Sequence, residues 1–406
     1  MHCINGTATL LFVLCALSTL SFGCDSHPKT QTAMPDTVEH LDVPPKIVKL
    51  PPPPGEPGPF LFRLEAFFPS QVYGAAATRD YVAIATQSDV RDIALCPQTQ
   101  LPVCFVGSAW IAPKLNPNTP VRVPLYESDT QSGTRIDDIQ STDNAFFFAI
   151  QDGIYAGDAL KQNLVMTDPT GLRSSTIDIT IPKALCNQTA LASLPDNSLI
   201  LCQAIDRNDI KASHSVSCRR FNAKTSTLSP LVDIDTKSPI RTLTIAHGFD
   251  KTIAVWTSSA HAYAAFLNDP TVIADLGPAT ALRPSVAVGI DRFAVAWQGD
   301  DATYRIAAFD PNVAIKPEKS LVLNGVKNRT IGGLAAFSEG FAFAFRHHNT
   351  QQIAIIHPEF DSWFLADNSN SWRRFSQYGA LNISDAHNGN IQWQTVESLI
   401  QKTTPL

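Results

Sequence analysis

Charge is the first thing this chain has little of. Asp, Glu, Lys and Arg make up 17% of its 406 residues, against roughly 25% in an average soluble domain. The 31 basic and 37 acidic residues leave a net charge of −6, so no basic stripe of the kind that binds nucleic acid is available. Long apolar runs are scarce too: the clearest one, the thirteen residues 8–20, is shorter than the ~20 residues that span a bilayer. Sustained 3.6-residue periodicity is missing, so helices should be rare. The chemistry-bearing signatures are also missing. There is no Gly-x-Ser-x-Gly elbow, no His-Glu-x-x-His, no phosphate loop and no dinucleotide fingerprint. With no Cys-x-x-Cys pair and no histidine cluster at zinc spacing, neither a metal nor another cofactor is expected. Aromatics are not scarce. Phe alone occurs 22 times, which excludes a disordered chain.

The apolar run at residues 8–20 has the length of a secretory h-region and ends in Leu20-Ser21-Phe22-Gly23-Cys24-Asp25. A small residue directly before a cysteine resembles the lipobox of bacterial lipoproteins. The resemblance implies that residues 1–23 are a signal peptide and that Cys24 is acylated after cleavage. An ordinary secretory signal cleaved near Gly23 is the other reading, and either one exports the protein. Residues 24–59 follow, with ten prolines between positions 25 and 59 and ending in Pro51-Pro52-Pro53-Pro54-Gly55-Glu56-Pro57-Gly58-Pro59. Proline fixes φ and removes a donor, so this stretch should be an extended tether reaching up to ~100 Å. The membrane is expected to be met through the lipid anchor only.

From Phe60 onward a hairpin unit repeats: a short apolar strand, a turn of charged residues or Gly, then an Ala-rich strand. It reads Thr244 to Trp256, Ser285 to Trp297 and Leu334 to Phe345, with weaker copies ending at Ala85, Ile150 and Gln203 and a seventh near Thr395. Copies ending at 85, 150, 203, 256, 297, 345 and 395 are spaced by 65, 53, 53, 41, 48 and 50 residues. Periods of ~40–50 residues with several strands each mark β-propeller blades. Side chains alternate along a strand, which puts Phe341, Phe343 and Phe345 on one face and Ala342 and Ala344 on the other. Neither face is polar, so both must be buried, and radial stacking of blades achieves that. The fold class is therefore all-β, a propeller of four-stranded antiparallel blades over residues 60–406. Seven blades fit best and six are the alternative. After Thr395 too few residues remain for two more strands, so the N-terminal segment should complete the last blade. The repeat, roughly Pro-Ser-Val-Ala-x-Gly-x-x-Phe-x-Val-x-Trp, resembles degenerate propeller repeats of bacterial surface lipoproteins.

In an oxidising compartment disulfides are expected. Cys96 and Cys104 bracket a seven-residue loop with two prolines and should close it. Cys202 and Cys218 sit symmetrically about residue 210 and should face each other across a hairpin. That leaves Cys186 free and buried. Asn187, Asn328 and Asn382 begin glycosylation sequons that matter only in a eukaryotic host.

Two functions fit this chain. One is a lipid-anchored, non-catalytic, monomeric scaffold that binds a protein or a glycan at the cell envelope. The other is a propeller hydrolase or lyase acting on extracellular glycans or lactones, which would gather Asp, Glu or His at the ring axis. If the blades are equivalent, the connections that leave each Ala-rich strand share one end of the ring. That end would collect Asp206, Arg207, Asp209, His214, Asp300, Asp301, Arg346, His347 and His348 as a candidate binding rim. The anchor makes a direct prediction. The full chain should partition into the detergent phase and Cys24→Ala should abolish this; a mutant that still partitions would refute the lipid assignment.

Overall fold

The computed structural model describes residues 60–63, 69–90, 104–116, 119–128, 134–156, 159–207, 213–258, 260–323, 331–347, 350–366, 372–376, 379–385 and 390–401. The signal, the tether and Cys24 lie outside the described residues, as does Cys96, and of Cys104 only the backbone is described.

Among the described residues the strands form seven four-stranded antiparallel sheets. Six of them take four consecutive strands each. Blade 1 runs from Pro69–Ala77 to Val121–Ser128, blade 2 from Arg135–Thr142 to Ser174–Asp178, and blade 3 from Leu185–Ser193 to Thr227–Asp235. Blades 4, 5 and 6 begin with Ile240–Gly248, Ser285–Val288 and Ile331–Phe337. Blade 7 has Trp372–Ser376, Gly379–Asp385 and Asn390–Gln394, and its fourth strand is Phe60–Arg63 from the other end of the chain. Phe60 pairs with Trp393 and Arg63 with Asn390, so the N-terminal strand closes the ring. This is the closure that the sequence requires.

The first strand of each blade is the innermost, because first strands touch one another from blade to blade. Their direction follows from the hydrogen bonds between neighbours. Thr189 N–H donates to Asp137 and Leu191 N–H to Asp138, while Asn187 Nδ2 donates to Ile240 O and Leu243 N–H to Gln188 Oε1. Residue numbers rise together on both partners, so these inner strands run parallel around the axis. Every hairpin from first to second strand therefore lies at one end of the ring, called here the hairpin end. Connections from second to third strand lie at the opposite end.

The alternation seen in the sequence has its physical outlet between blades. Phe341, Phe343 and Phe345 pack into a cluster with Ala294, Tyr304 and Ile306 of blade 5. Ala342 and Ala344 face the other way, against Val396, Leu399 and Ile400 of a short helix, Val396–Gln401. Trp256 lies on the blade 3 face of its sheet and Trp297 on the blade 4 face of the next one, each buried between two sheets. A buried side chain of this size contributes about 1.5–3 kcal/mol. Cys202 and Cys218 are direct cross-strand partners joined by a disulfide, and they belong to the face of blade 3 that meets blade 4. Cys186 is free and buried, and burial pushes its thiol up to about 12.

One repeat copy was misread. The segment ending near Thr395 is the third strand of blade 7, not the second, which is Gly379–Asp385. That second strand carries Asn382 and Ser384 in place of the Ala-rich alternation. Trp393, buried and paired with Phe60, imitates the repeat's terminal Trp.

The glycine of the repeat has a steric role. A Cβ on Gly248 would lie 2.4 Å from Val288 of blade 5, and one on Gly289 would lie 2.5 Å from the Phe341 ring of blade 6. Both glycines let the next blade approach. Gly289→Ala should accordingly cost about 1–3 kcal/mol, because the fully buried Phe341 cannot move aside. At Gly74 the added Cβ would meet Ile139 at an ordinary 3.4 Å, so Gly74→Ala should stay within ~1 kcal/mol of wild type in the same denaturant titration.

Candidate functional site

The innermost strands contribute three acidic or histidine side chains among the described residues: Asp137, Asp138 and His247. They do not converge. Asp137 and Asp138 stand near the start of the blade 2 inner strand, and His247 near the end of the blade 4 inner strand, so they occupy opposite ends of the axis.

The Asp137 side chain is only 1% exposed and pairs with Arg135 Nε at 2.8 Å. Burial pushes its carboxyl upward, against the pull of Arg135, the Thr189 N–H and Arg283. Asp138 accepts the Leu191 N–H at 2.8 Å and meets Arg283 Nη2 at 3.1 Å. Arg283 lies in the connection between blades 4 and 5, and it also donates to Asp137 O, Leu243 O and Thr244 Oγ1. Blades 2 and 5 are not neighbours, so this side chain crosses the centre of the ring. The bridge lies at the end of the axis where the inner strands begin.

The other end of the axis is open. A cavity of about 570 Å³ is lined by the inner hairpins of blades 1 to 4, with Thr78 and Arg79, Thr142 and Asp143, Ser193 and Asn197, and His247 to Asp250. Because blades 1, 3 and 4 share one cavity, it lies on the axis, as a mouth at the hairpin end. Its lip has an unusual element. Gly248 and Lys251 are cross-strand partners, and the two residues between them, Phe249 and Asp250, have φ of 55° and 56°. Two left-handed residues make the tight hairpin turn in which Asn and Gly are the favoured residues. A bulky residue with φ in that range is uncommon and strained. Phe249 is nonetheless held there, 37% exposed, with its ring edge-on to Phe293 at 5.5 Å. His247 Nδ1 lies 2.9 Å from Thr252 Oγ1. Burial holds the imidazole below its ordinary value, against the pull of Asp250 and Asp196, so the ring is neutral at pH 7. Asn197, itself at φ 64°, accepts the Asp143 N–H at 3.2 Å and ties the hairpins of blades 2 and 3 together.

The rim expected from the sequence lies at the opposite end, and the sheet order places its connections together there. Asp206 and His214 are cross-strand partners with Nδ1 and Oδ1 2.7 Å apart. Asp206 also accepts from Asn187 Nδ2 at 2.5 Å, which engages the first sequon asparagine in holding blades 3 and 4. Asp300 is exposed, while Asp301 accepts from Thr303 N at 3.0 Å and Oγ1 at 2.6 Å and caps its own turn. Burial would raise the Asp301 carboxyl, but the Thr303 and Arg305 hydrogen bonds outweigh it and hold it below the usual range. Arg207, Arg346 and His347 lie in strands, and their side chains, like Asp209 and His348, lie outside the described residues. The mouth residues were missed. The available signal was an apolar residue in a turn, Phe249, and the next copy carries the exposed Ile290 at the same place.

Among the described residues the sheets and their closure define a seven-bladed β-propeller. No known protein family matches the chain and no curated protein matches it. Among solved structures it is similar to the β-propeller domain of the trilobed protease from Pyrococcus furiosus, at 10% identity and a TM-score of 0.48 over 82% of this chain and 94% of that one. It is also similar to the acylaminoacyl peptidase of Pyrococcus horikoshii, at 8% identity and a TM-score of 0.50 over 82% of this chain and 53% of that one. A prolyl endopeptidase follows at 10% identity and a TM-score of 0.47, over 81% and 50%. The chain thus spans about half the length of the two peptidases. At such identities the likeness is one of fold.

The Arg283 bridge is testable in isolation. Arg283→Ala removes the ion pair of the largely enclosed Asp138 carboxylate and the donors to Asp137 O, Leu243 O and Thr244 Oγ1, and should cost about 3 kcal/mol in chemical denaturation. Arg283→Lys should recover less than half of that, because an ammonium cannot reproduce the guanidinium fork.

Proposed function

We propose that this protein is an exported, lipid-anchored propeller of the bacterial cell envelope that acts as a non-catalytic binding scaffold. The observation that carries the proposal is the axial mouth, where turns from four consecutive blades converge on one cavity. Functional residues favour loops held by a rigid frame, and a concave site of about 300–1,000 Å³ is the usual form of a ligand pocket. The two carboxylates on the inner strands are engaged by Arg135 and Arg283 in holding the ring together. Their chemistry is thereby committed to structure.

The attachment of the chain supports the same reading. The strand Phe60–Arg63 runs antiparallel to Asn390–Gln394 as the outer edge of blade 7, so by the sheet order residue 60 sits at the hairpin end. The tether would thus join the ring at the same end as the mouth.

The experiment is a thermal-shift screen of the full chain against soluble envelope glycans and peptides, with product analysis on every hit. A ligand that raises the melting midpoint and is recovered unchanged supports the scaffold. Its shift should vanish in the double variant Asp143→Ala, Asp250→Ala and survive in Asp300→Ala, Asp301→Ala. Conversion of the ligand, or loss of binding only in the second variant, would overturn the proposal.

A further inference from the structure

The chemistry of the mouth narrows its ligand. We infer that it takes a neutral carbohydrate chain, stacked on Phe249 and hydrogen-bonded by Arg79, Asp143, Asn197, His247 and Asp250. This rests on the scaffold reading and names its ligand class.

Three features of the lining carry it. The first is mixed charge. Arg79 stands against Asp143 and Asp250, all three exposed at the lip of one cavity. An anionic ligand would meet two carboxylates and a cationic one would meet the guanidinium, whereas hydroxyl groups can donate to the first and accept from the second. The second feature is the kind of polar group present. A carboxylate, a primary amide, a guanidinium and an imidazole offer planar, paired hydrogen-bonding edges, which suit vicinal hydroxyls. His247 adds to this set, because Thr252 engages its Nδ1 and leaves Nε2 for a ligand. The third feature is the aromatic residue. A hexose has an apolar C–H face as well as its hydroxyls, and an aromatic side chain gives that face something to cover while presenting apolar area at low conformational cost. Phe249 occupies a left-handed position that a Phe disfavours, and backbone strain of this kind collects where a side chain is displayed for use. Packing against Phe293 fixes the ring instead of letting it collapse into the cavity.

The test is calorimetric titration of the full chain with cellohexaose, maltohexaose, laminarihexaose and chitohexaose. Hexagalacturonate and hexalysine serve as charged comparators. At least one neutral hexasaccharide should bind, with a Kd of roughly 10 μM to 1 mM. Its affinity should change less than about twofold between low and high salt, because no net charge is neutralised. Phe249→Asn suits the left-handed turn and should keep the melting midpoint while weakening binding by about tenfold or more. Asp143→Ala should weaken binding, and Asp143→Asn, which still pairs with a hydroxyl, should retain most of it. Binding confined to hexagalacturonate or hexalysine would overturn the carbohydrate class and leave the scaffold standing. Failure of all four neutral probes overturns it as well, and the scaffold falls too only if the wider screen is also empty.

Discussion

Two-sided burial is the constraint on which this molecule depends. A blade such as Gly340–His347 and its neighbours presents Phe to one side and Ala to the other, and neither side can face water. Each sheet therefore needs two partners, and the only arrangement that gives every sheet two is a closed ring. Closure in turn explains why Phe60–Arg63 crosses to the far end of the chain to become the outer edge of blade 7. It also explains the glycines at positions 248 and 289, whose missing side chains set how closely one blade can approach the next.

A ring built this way has an axis that must be filled or used. At one end Arg283 bridges it, linking the start of blade 5 to blade 2 and drawing Leu243 and Thr244 of blade 4 into the same network. A cation that reaches across the centre neutralises a carboxylate that would otherwise be expensive to enclose. At the other end the inner hairpins stand apart and enclose a polar cavity. At the rim opposite the mouth polar side chains likewise serve the fold: Asp206 pairs with His214 within blade 3, Asn187 donates to Asp206 and to the Ile240 carbonyl of blade 4, and Asp301 caps its own turn. Polar residues at connections are first of all what connections need in order to meet water and close.

Much of this was legible from residue order. The period of the Ala-rich hairpins, the alternation of Phe and Ala, the shortage of residues after Thr395 and the symmetry of Cys202 and Cys218 about residue 210 each follow from local geometry. Strand periodicity and register are properties of neighbouring residues, and the disulfide spans one hairpin in which its two cysteines are direct partners. The slip in blade 7 shows the limit of this method. A buried Trp393 produces the same local signal in a third strand that Trp256 and Trp297 produce in a second.

By itself, then, the sequence pointed to four-stranded antiparallel blades, to seven of them with six as the alternative, and to an N-terminal strand in the last blade, because alternation and repeat period are local properties. Only the tertiary structure decided which charges meet. Asp138 and Arg283 are partners because a ring brings blades 2 and 5 face to face across its axis, and Arg79, Asp143, Asn197 and Phe249 share a cavity for the same reason. No spacing along the chain encodes those meetings, since they depend on the radius and closure of the whole ring.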